Sequence, residues 1–437
     1  MNGSPAHPRR RTAPRHPDAP PTAPPRRPPA TRAVLGAILD HGPVARSAVA
    51  RLTGLSPASV TGHCGHLLAR GLIREAAATS GPRGLGRPHI PLEIDTERHV
   101  VAGAHIAVRH TTLSLMDLRG RIVAEDREPH RGTAPDQVLD RLAARLPALV
   151  SGHAADRTVL ALGVATGHRV DPRTGVIVDH PQLGWRNVPA RDVLATATGL
   201  PVHVDGHARA LARAEQLIGE SSSRTSAVLL FVGTVVDAAF ATGGLVHLGP
   251  HSGAGSVAHL PVGGRDPAPG AERNEGPTPA EGSPERCACG APDCLQAQVS
   301  EPALVRRAAR RGLSVPDFPA LLERALRGDP VACAVFVDRA RRVGRAAALL
   351  LDMFDPDVLV VVEPASGRLP ECLAALRAEV KRRSWAGEAA ATAVVPSSFT
   401  GSVLAVAGAA VALGALYADP LGAGAAPPSR FTTADST

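Results

Sequence analysis

Between residues 31 and 73 apolar positions recur three and four apart. Val34, Leu35, Ile38 and Leu39 lead up to His41-Gly42-Pro43, and a shorter run from about Ser47 to Leu52 turns Val49 and Leu52 inward. That spacing predicts two short helices, each with one buried stripe. Thr53-Gly54-Leu55 reads as a tight turn and Ser56-Pro57 as a helix start: the serine hydroxyl accepts an otherwise unpaired amide hydrogen, and proline has none to lose. In the third helix, LSPASVTGHCGHLLARGLI, the residues Val60, Cys64, Leu67 and Leu68 fall on the inner face. Two helices, a glycine turn and a third helix with a polar front form a helix-turn-helix, in which Ser56, Ala58, Ser59, Thr61, Gly62 and His63 would face DNA bases. Past Ile73, SGPRGLGRPHIPLEI predicts a hairpin whose Gly- and Pro-rich tip displays Arg83 and Arg87, a wing suited to phosphate or minor-groove contacts.

From His99 the pattern changes. VVAGAHIAVRHTTLSLMDLRGRIV reads as two strands with a turn at 117–120, followed by a helix over about 135–150 and the strand VLALGVAT at 159–166. Strands alternating with helices to the end of the chain predict an α/β body. The apolar run VLAVAGAAVALGALYA (403–418) is too short and too rich in Ala and Gly to span a bilayer, and predicts a buried helix. With no charged-then-apolar signal at the N-terminus, the expectation is a soluble cytoplasmic protein that uses no membrane.

Composition divides the chain further. Part of its 41 prolines and 43 glycines is concentrated in 1–30, 262–286 and 419–437. Residues 1–30, with ten prolines and six arginines, are expected to stay disordered, as are 419–437, and 262–286 to form a loop insertion. The expected domains are therefore a winged helix at 31–95 and a body at 99–418. Residues 1–98 hold 14 arginines against 6 acids, whereas 99–437 is balanced at 34 against 34. A basic module on a neutral body is the footprint of one part meeting a polyanion while the other does something else.

Three of the six cysteines crowd into RCACGAPDC (286–294), which is no secreted disulfide framework. Cys287, Cys289 and Cys294 can direct three thiolates at one point, as in closed tetrahedral zinc sites, if a fourth ligand joins them. A redox cluster or chance packing are the alternatives, and His247 or His251 are other histidines within reach of the pattern.

The order of a winged helix, a strand pair, GVATGHRVDPRTGVIVDHPQLGWRNV (163–188), VDGHARALARAE (204–215), GAGSVAHLPV (253–262), CACGAPDC (287–294) and DPDVLVVVEPAS (355–366) resembles the transcriptional regulators of the ROK (repressor, open reading frame, kinase) family over about residues 31–418. The resemblance implies a two-lobed actin-like ATPase fold with a cleft, and His259 as the fourth ligand of a structural zinc, with 27 residues between it and Cys287. It also implies a kinase ancestry that the residues contradict. Where the kinases carry a phosphate loop beginning with Asp, this chain has GAHIAVRHTT, with His105, Ala107 and Arg109 at the Asp, Gly and Thr positions. Val235, Val236 and Asp237 replace small residues of the second phosphate loop, and Val362-Glu363-Pro364-Ala365-Ser366 replaces a glycine cluster.

Asp205 matches the kinases' general base and is retained, yet a base without a phosphoryl donor site cannot transfer phosphate. Its alternative role is structural, capping the helix that follows. His207, Ser256 and Gln296 stand where sugar-binding Asn and Glu residues are typical. Together with Asp205 they form the candidate effector cleft, for a sugar-like or other small molecule. The reading is a non-enzymatic, DNA-binding repressor acting as a homodimer or homotetramer. A residual sugar kinase with a fused DNA-binding domain and a zinc-stabilised protein-interaction scaffold are the alternatives.

Overall fold

The computed structural model describes residues 30–76, 90–220, 225–262, 287, 289–291 and 293–422. The first amphipathic runs are helices α1 (Ala30–His41), α2 (Arg46–Thr53) and α3 (Pro57–Ala69), followed by the antiparallel pair β1 (Ile73–Glu75) and β2 (Leu92–Ile94). Ser56 caps α3, its hydroxyl accepting from the Ser59 amide at 3.2 Å. Val34, Ile38, Val49, Val60, Cys64 and Leu67 close a small core with no solvent exposure. Leu52, expected inside, is 51% exposed. Helix α2 is only two turns long, and Gly54, at φ 67°, redirects the chain into α3 before anything covers that last side chain. The expected wing tip with Arg83 and Arg87, the tail before Ala30, the tail after Gly422 and residues 263–286 of the insertion lie outside the described residues.

The body begins with β3 (His99–Ile106), β4 (His110–Asp117) and β5 (Ile122–Pro129), then α4 (Pro135–His153) and β6 (Thr158–Thr166). A small three-stranded sheet of β7 (Arg169–Asp171), β8 (Val176–His180) and β9 (Trp185–Val188) precedes α5 (Ala190–Thr198), β10 (Val202–Gly206) and α6 (His207–Ile218). The second half holds β11 (Ser226–Val232), β12 (Val236–Thr242), β13 (Leu245–Val246), α7 (Leu295–Val299), α8 (Glu301–Arg310), α9 (Phe318–Leu326) and α10 (Pro330–Phe354). It closes with β14 (Val358–Val362), α11 (Pro370–Arg383), α12 (Glu388–Ala393), β15 (Val394–Pro396) and α13 (Val403–Ala418).

The two large sheets run β5-β4-β3-β6-β10 and β13-β12-β11-β14-β15, one strand order used twice. In each, the first three strands pair antiparallel and the last two add on parallel. The stretch read as two strands around 117–120 is three, because Ala107–Arg109 also turn; the Ala107 amide donates to the His110 carbonyl at 3.0 Å. Every residue of β3 is buried, so no polar alternation marks where it stops.

Helix α13 spans the residues expected of it and is buried along most of its length. Its small side chains have a definite use. A Cβ on Gly103 would lie 2.2 Å from the Ala409 nitrogen, one on Gly163 2.3 Å from the Gly408 oxygen, and one on Gly408 2.6 Å from the Ala104 nitrogen. Helix backbone therefore rests directly on the backbone of β3 and β6. At its far end, Tyr417 Oη donates to the Leu118 carbonyl at 2.8 Å. The winged helix is fastened nearby: Arg70 Nη1 donates to the Leu421 carbonyl at 2.6 Å and Arg119 Nη2 to the Leu39 carbonyl at 3.3 Å. Among the described residues, no helix is long and apolar enough to cross a membrane.

Candidate functional site

A cavity of about 720 Å³ opens where the carboxyl ends of β3, β11 and β14 converge, the place where ligands gather in parallel α/β sheets. Its walls include the turn at 105–109, the segment 231–235, Val362 to Pro364, Phe318 and Leu322 of α9, and Leu404 of α13. Of the four residues expected to form the effector cleft, His207 alone lines it.

Asp205 sits beside the cavity with its carboxylate fully engaged. Oδ1 accepts from the Gly206 amide and from Arg209 Nε, each at 2.7 Å, and Oδ2 accepts from Arg213 Nη1. It is 1% exposed. Both carboxylate oxygens are thus taken up by partners within the protein. It is not the helix cap considered from sequence, since the cap position of α6 is Gly206, with no side-chain cap; it anchors the first turns of α6 through Arg209 and Arg213 instead. Gln296 is likewise spent on structure, accepting from the Val236 amide at 2.8 Å and donating to the Thr234 carbonyl at 2.6 Å. Ser256 is exposed. Glu363, in place of a glycine, accepts from Arg339 and, at 2.6 Å, from the Ser366 amide.

Four histidines gather at the inner end. His105 Nε2 lies 3.3 Å from His207 Nδ1, His207 Nε2 lies 3.1 Å from Asp237 Oδ2, and the His168 amide donates to the same oxygen at 2.9 Å. The His168 and His180 rings meet edge-on with centroids 4.8 Å apart. Burial, reinforced by the neighbouring His207, holds His105 well below the usual imidazole range, and burial pushes His180 down to about 3. Asp237 stays below the ordinary carboxylate range although burial opposes this, because His207 faces it. His105 and His207 were singled out from the sequence as replacements; His180 and Thr112, which also line the cavity, were not. His180 lies in the quoted segment 163–188, but β8 has no regular burial alternation to single it out.

The thiols converge as the spacing promised. His259, Cys287, Cys289 and Cys294 bring one ligand atom each within 4.8 Å of one another. Cys287 Sγ stands 3.3 Å from His259 Nδ1, and Cys289 Sγ 3.3 Å from Cys294 Sγ. Sulfurs bound tetrahedrally at 2.3 Å stand about 3.8 Å apart, so a closed metal shell would need the 3.3 Å contacts to open slightly and the wider ones, up to 4.8 Å, to close. The long insertion does not disturb it because its two ends are laced together: Val262 N donates to the Asp293 carbonyl at 2.9 Å, Leu295 N to Leu260 O at 2.8 Å, and Gln296 N to Ala258 O at 2.9 Å. Burial and the adjacent sulfurs push the Cys294 thiol up to about 12, whereas the Ala291 amide holds Cys289 below its usual value. His247 and His251 are not in the group.

On α3, Ala58, Thr61 and Gly62 are exposed, and Ser59 and His63 half-buried. His63 Nδ1 lies 2.9 Å from Thr31 Oγ1 of α1, which fixes its ring on the edge of the exposed face.

The family model for ROK proteins matches residues 101–414 of this chain. A transcriptional regulator of Mycobacterium tuberculosis is 34% identical over 410 residues, covering 90% of this chain and 87% of its own length. The N-acetylglucosamine repressor of Escherichia coli O157:H7 is 25% identical over 341 residues, covering 75% of this chain and 79% of its own. In fold, the chain is similar to a ROK family transcriptional regulator homologous to the Escherichia coli MLC protein, with a TM-score of 0.71 at 22% identity over 89% of this chain and 96% of that one. It is also similar to a ROK family glucokinase from Streptomyces griseus, with a TM-score of 0.59 at 24% identity over 71% and 98%.

Proposed function

The chain belongs to the ROK family, and from that premise we propose that it is a DNA-binding transcriptional regulator, a repressor, whose body transfers no phosphate. The observation that carries the non-enzymatic half is the engagement of Asp205 by Arg209 and Arg213. Phosphoryl transfer depends on positioning and on charge stabilisation around the phosphates. Here the first loop offers His105 and Arg109 in place of its Asp and Thr, and the Val236 amide of the second is taken by Gln296. The 34% identical relatives, whose printed names say transcriptional regulator, point the same way.

In the DNA-facing half, Ser56, Ala58, Ser59, Thr61, Gly62 and His63 present the front of α3 to the major groove, while Arg83 and Arg87 contact phosphates or the minor groove. Two copies related by a twofold axis, as a homodimer or within a homotetramer, would read a palindromic site. The metal is zinc: His259, Cys287, Cys289 and Cys294 fill a tetrahedron, which leaves no position for a reacting water, so its contribution is to hold α7 and the segment 258–262 together.

The test combines three measurements on the full chain. Capture of genomic fragments should return a palindromic site whose affinity falls steeply with salt. Incubation with ATP and a panel of sugars should give no turnover; turnover lost in Asp205→Ala would favour the kinase alternative. Elemental analysis should find zinc in the wild type and little in His259→Ala. Absence of any captured site would favour the scaffold.

A further inference from the structure

The histidines at the inner end of the cavity stand in sequence. His207 Nε2 lies 3.1 Å from the Asp237 carboxylate, too poorly aligned for a hydrogen bond, and the ring hydrogen is assigned to it from that charge alone. His207 Nδ1 is then an acceptor, so His105 Nε2, 3.3 Å from it, is the donor. This leaves His105 Nδ1 as a bare acceptor, and it has no hydrogen-bond partner. Thr112 Oγ1 has none either, nor has His180 Nδ1. All three residues line the cavity and are at most 3% exposed. His105 and Thr112 stand directly opposite one another across the antiparallel β3–β4 pair, so their side chains share one face within reach of a single small group.

A buried polar atom without a partner costs roughly 1–3 kcal/mol, and three at one end of one cavity mark where a ligand's polar end belongs. Next to them Val235, Phe318, Leu322, Phe399 and Leu404 offer no hydrogen bonds to the hydroxyls of a hexose, and the charged lining residues Arg109, Glu125, Arg127, Arg306, Glu323 and Arg368 are exposed.

We propose that this cavity binds an uncharged, mainly apolar small molecule bearing one hydroxyl, an alcohol or a phenol, which donates to His105 Nδ1 and accepts from Thr112 Oγ1. A hydroxyl is the small group that does both at once. At the buried end an anion would be placed near the ionised Asp237, away from the exposed arginines of the lining, and an ammonium would be desolvated while that carboxylate already accepts from the His168 amide. Calling the ligand an effector rests on the regulator reading; its binding does not.

The probes are 2-naphthol and 2-methoxynaphthalene, nearly equal in shape and differing in the hydrogen that can be donated. Calorimetric titration of the full-length wild type should show 2-naphthol binding about tenfold tighter or more, since a site built for a hydroxyl discriminates against its absence. In His105→Leu the difference between the probes should vanish, and in Leu404→Trp, which fills the cavity, both should be lost. Equal affinities in the wild type, no binding of either, or displacement of 2-naphthol by glucose would each overturn the proposal, and none of these needs a variant to fold. A chain that binds 2-naphthol selectively yet captures no DNA would sink the regulator reading alone; one that binds DNA without the selectivity would sink this site alone.

Discussion

Gly62 and Gly65 stand inside α3, the proposed recognition helix, where each costs about 1 kcal/mol of helix stability relative to alanine. Neither is there to make room for the protein itself, since a Cβ at either position meets nothing within 4 Å. The face they flatten is turned outward. Gly62→Ala and Gly65→Ala are both expected to raise the melting temperature, whereas Gly62→Ala, on the half of α3 that enters the groove, should weaken DNA binding in fluorescence anisotropy. Unchanged affinity in Gly62→Ala would mean that this face does not approach DNA closely. The cavity histidines give a second prediction at this scale. His105 and His180 are neutral when folded and titrate near 6.5 when unfolded, so the unfolded chain binds more protons below that pH. Their contribution to stability is complete above about pH 6.5 and is lost as pH falls toward the folded value, at up to about 1.4 kcal/mol per pH unit for each group. Urea unfolding between pH 7 and 4.5 should show this slope, and His180→Asn should flatten it relative to the wild type.

At the level of elements, the contact of α13 with the first sheet has the least tolerance. Gly163→Ala would place a methyl group 2.3 Å from the Gly408 carbonyl oxygen, and backbone on both sides cannot step aside as a side chain would. A loss of roughly 1–3 kcal/mol, the usual cost of overpacking, is expected in urea unfolding; a neutral result would show that helix and sheet can separate. Elements such as α3 and α13 were legible in the sequence because their signals are local: a Ser-Pro start, a period of 3.6, a run of small apolar residues. The Cys/His cluster that could hold a metal was legible in part for a related reason, three thiols lying within eight residues, while His259 was indicated only by the family resemblance. Parts of the cleft were not. The end of β3 is hidden in a strand buried on both faces. The engagement of Asp205 was half visible, Arg209 lying at i+4, but Gln296 binds the 234–236 backbone from 60 residues away, a contact that only the fold creates. His180 and Thr112 reach the cavity from separate strands for the same reason.

Across the whole molecule, α13 touches both the cavity, through Val403 and Leu404, and α1 of the winged helix, with Tyr417 bonded to Leu118 at its far end. Seated on glycine backbone, it has few side chains along the sheet to absorb a shift. Displacement at its first turn is therefore passed to the other end, where Arg70 ties the end of α3 to Leu421. Arg70→Ala is expected to leave 2-naphthol affinity unchanged and to reduce by several-fold the change in DNA affinity that 2-naphthol produces, read by anisotropy with and without the probe. An unaltered response would place the coupling elsewhere. The metal knuckle obeys the opposite logic. Because Leu260, Val262, Asp293 and Leu295 zip these two segments together, the position of His259 relative to Cys294 is indifferent to how many residues join them. Inserting or removing residues between 262 and 287 is therefore expected to leave that pairing in place, a tolerance that makes this junction the natural point at which to splice in a foreign sequence.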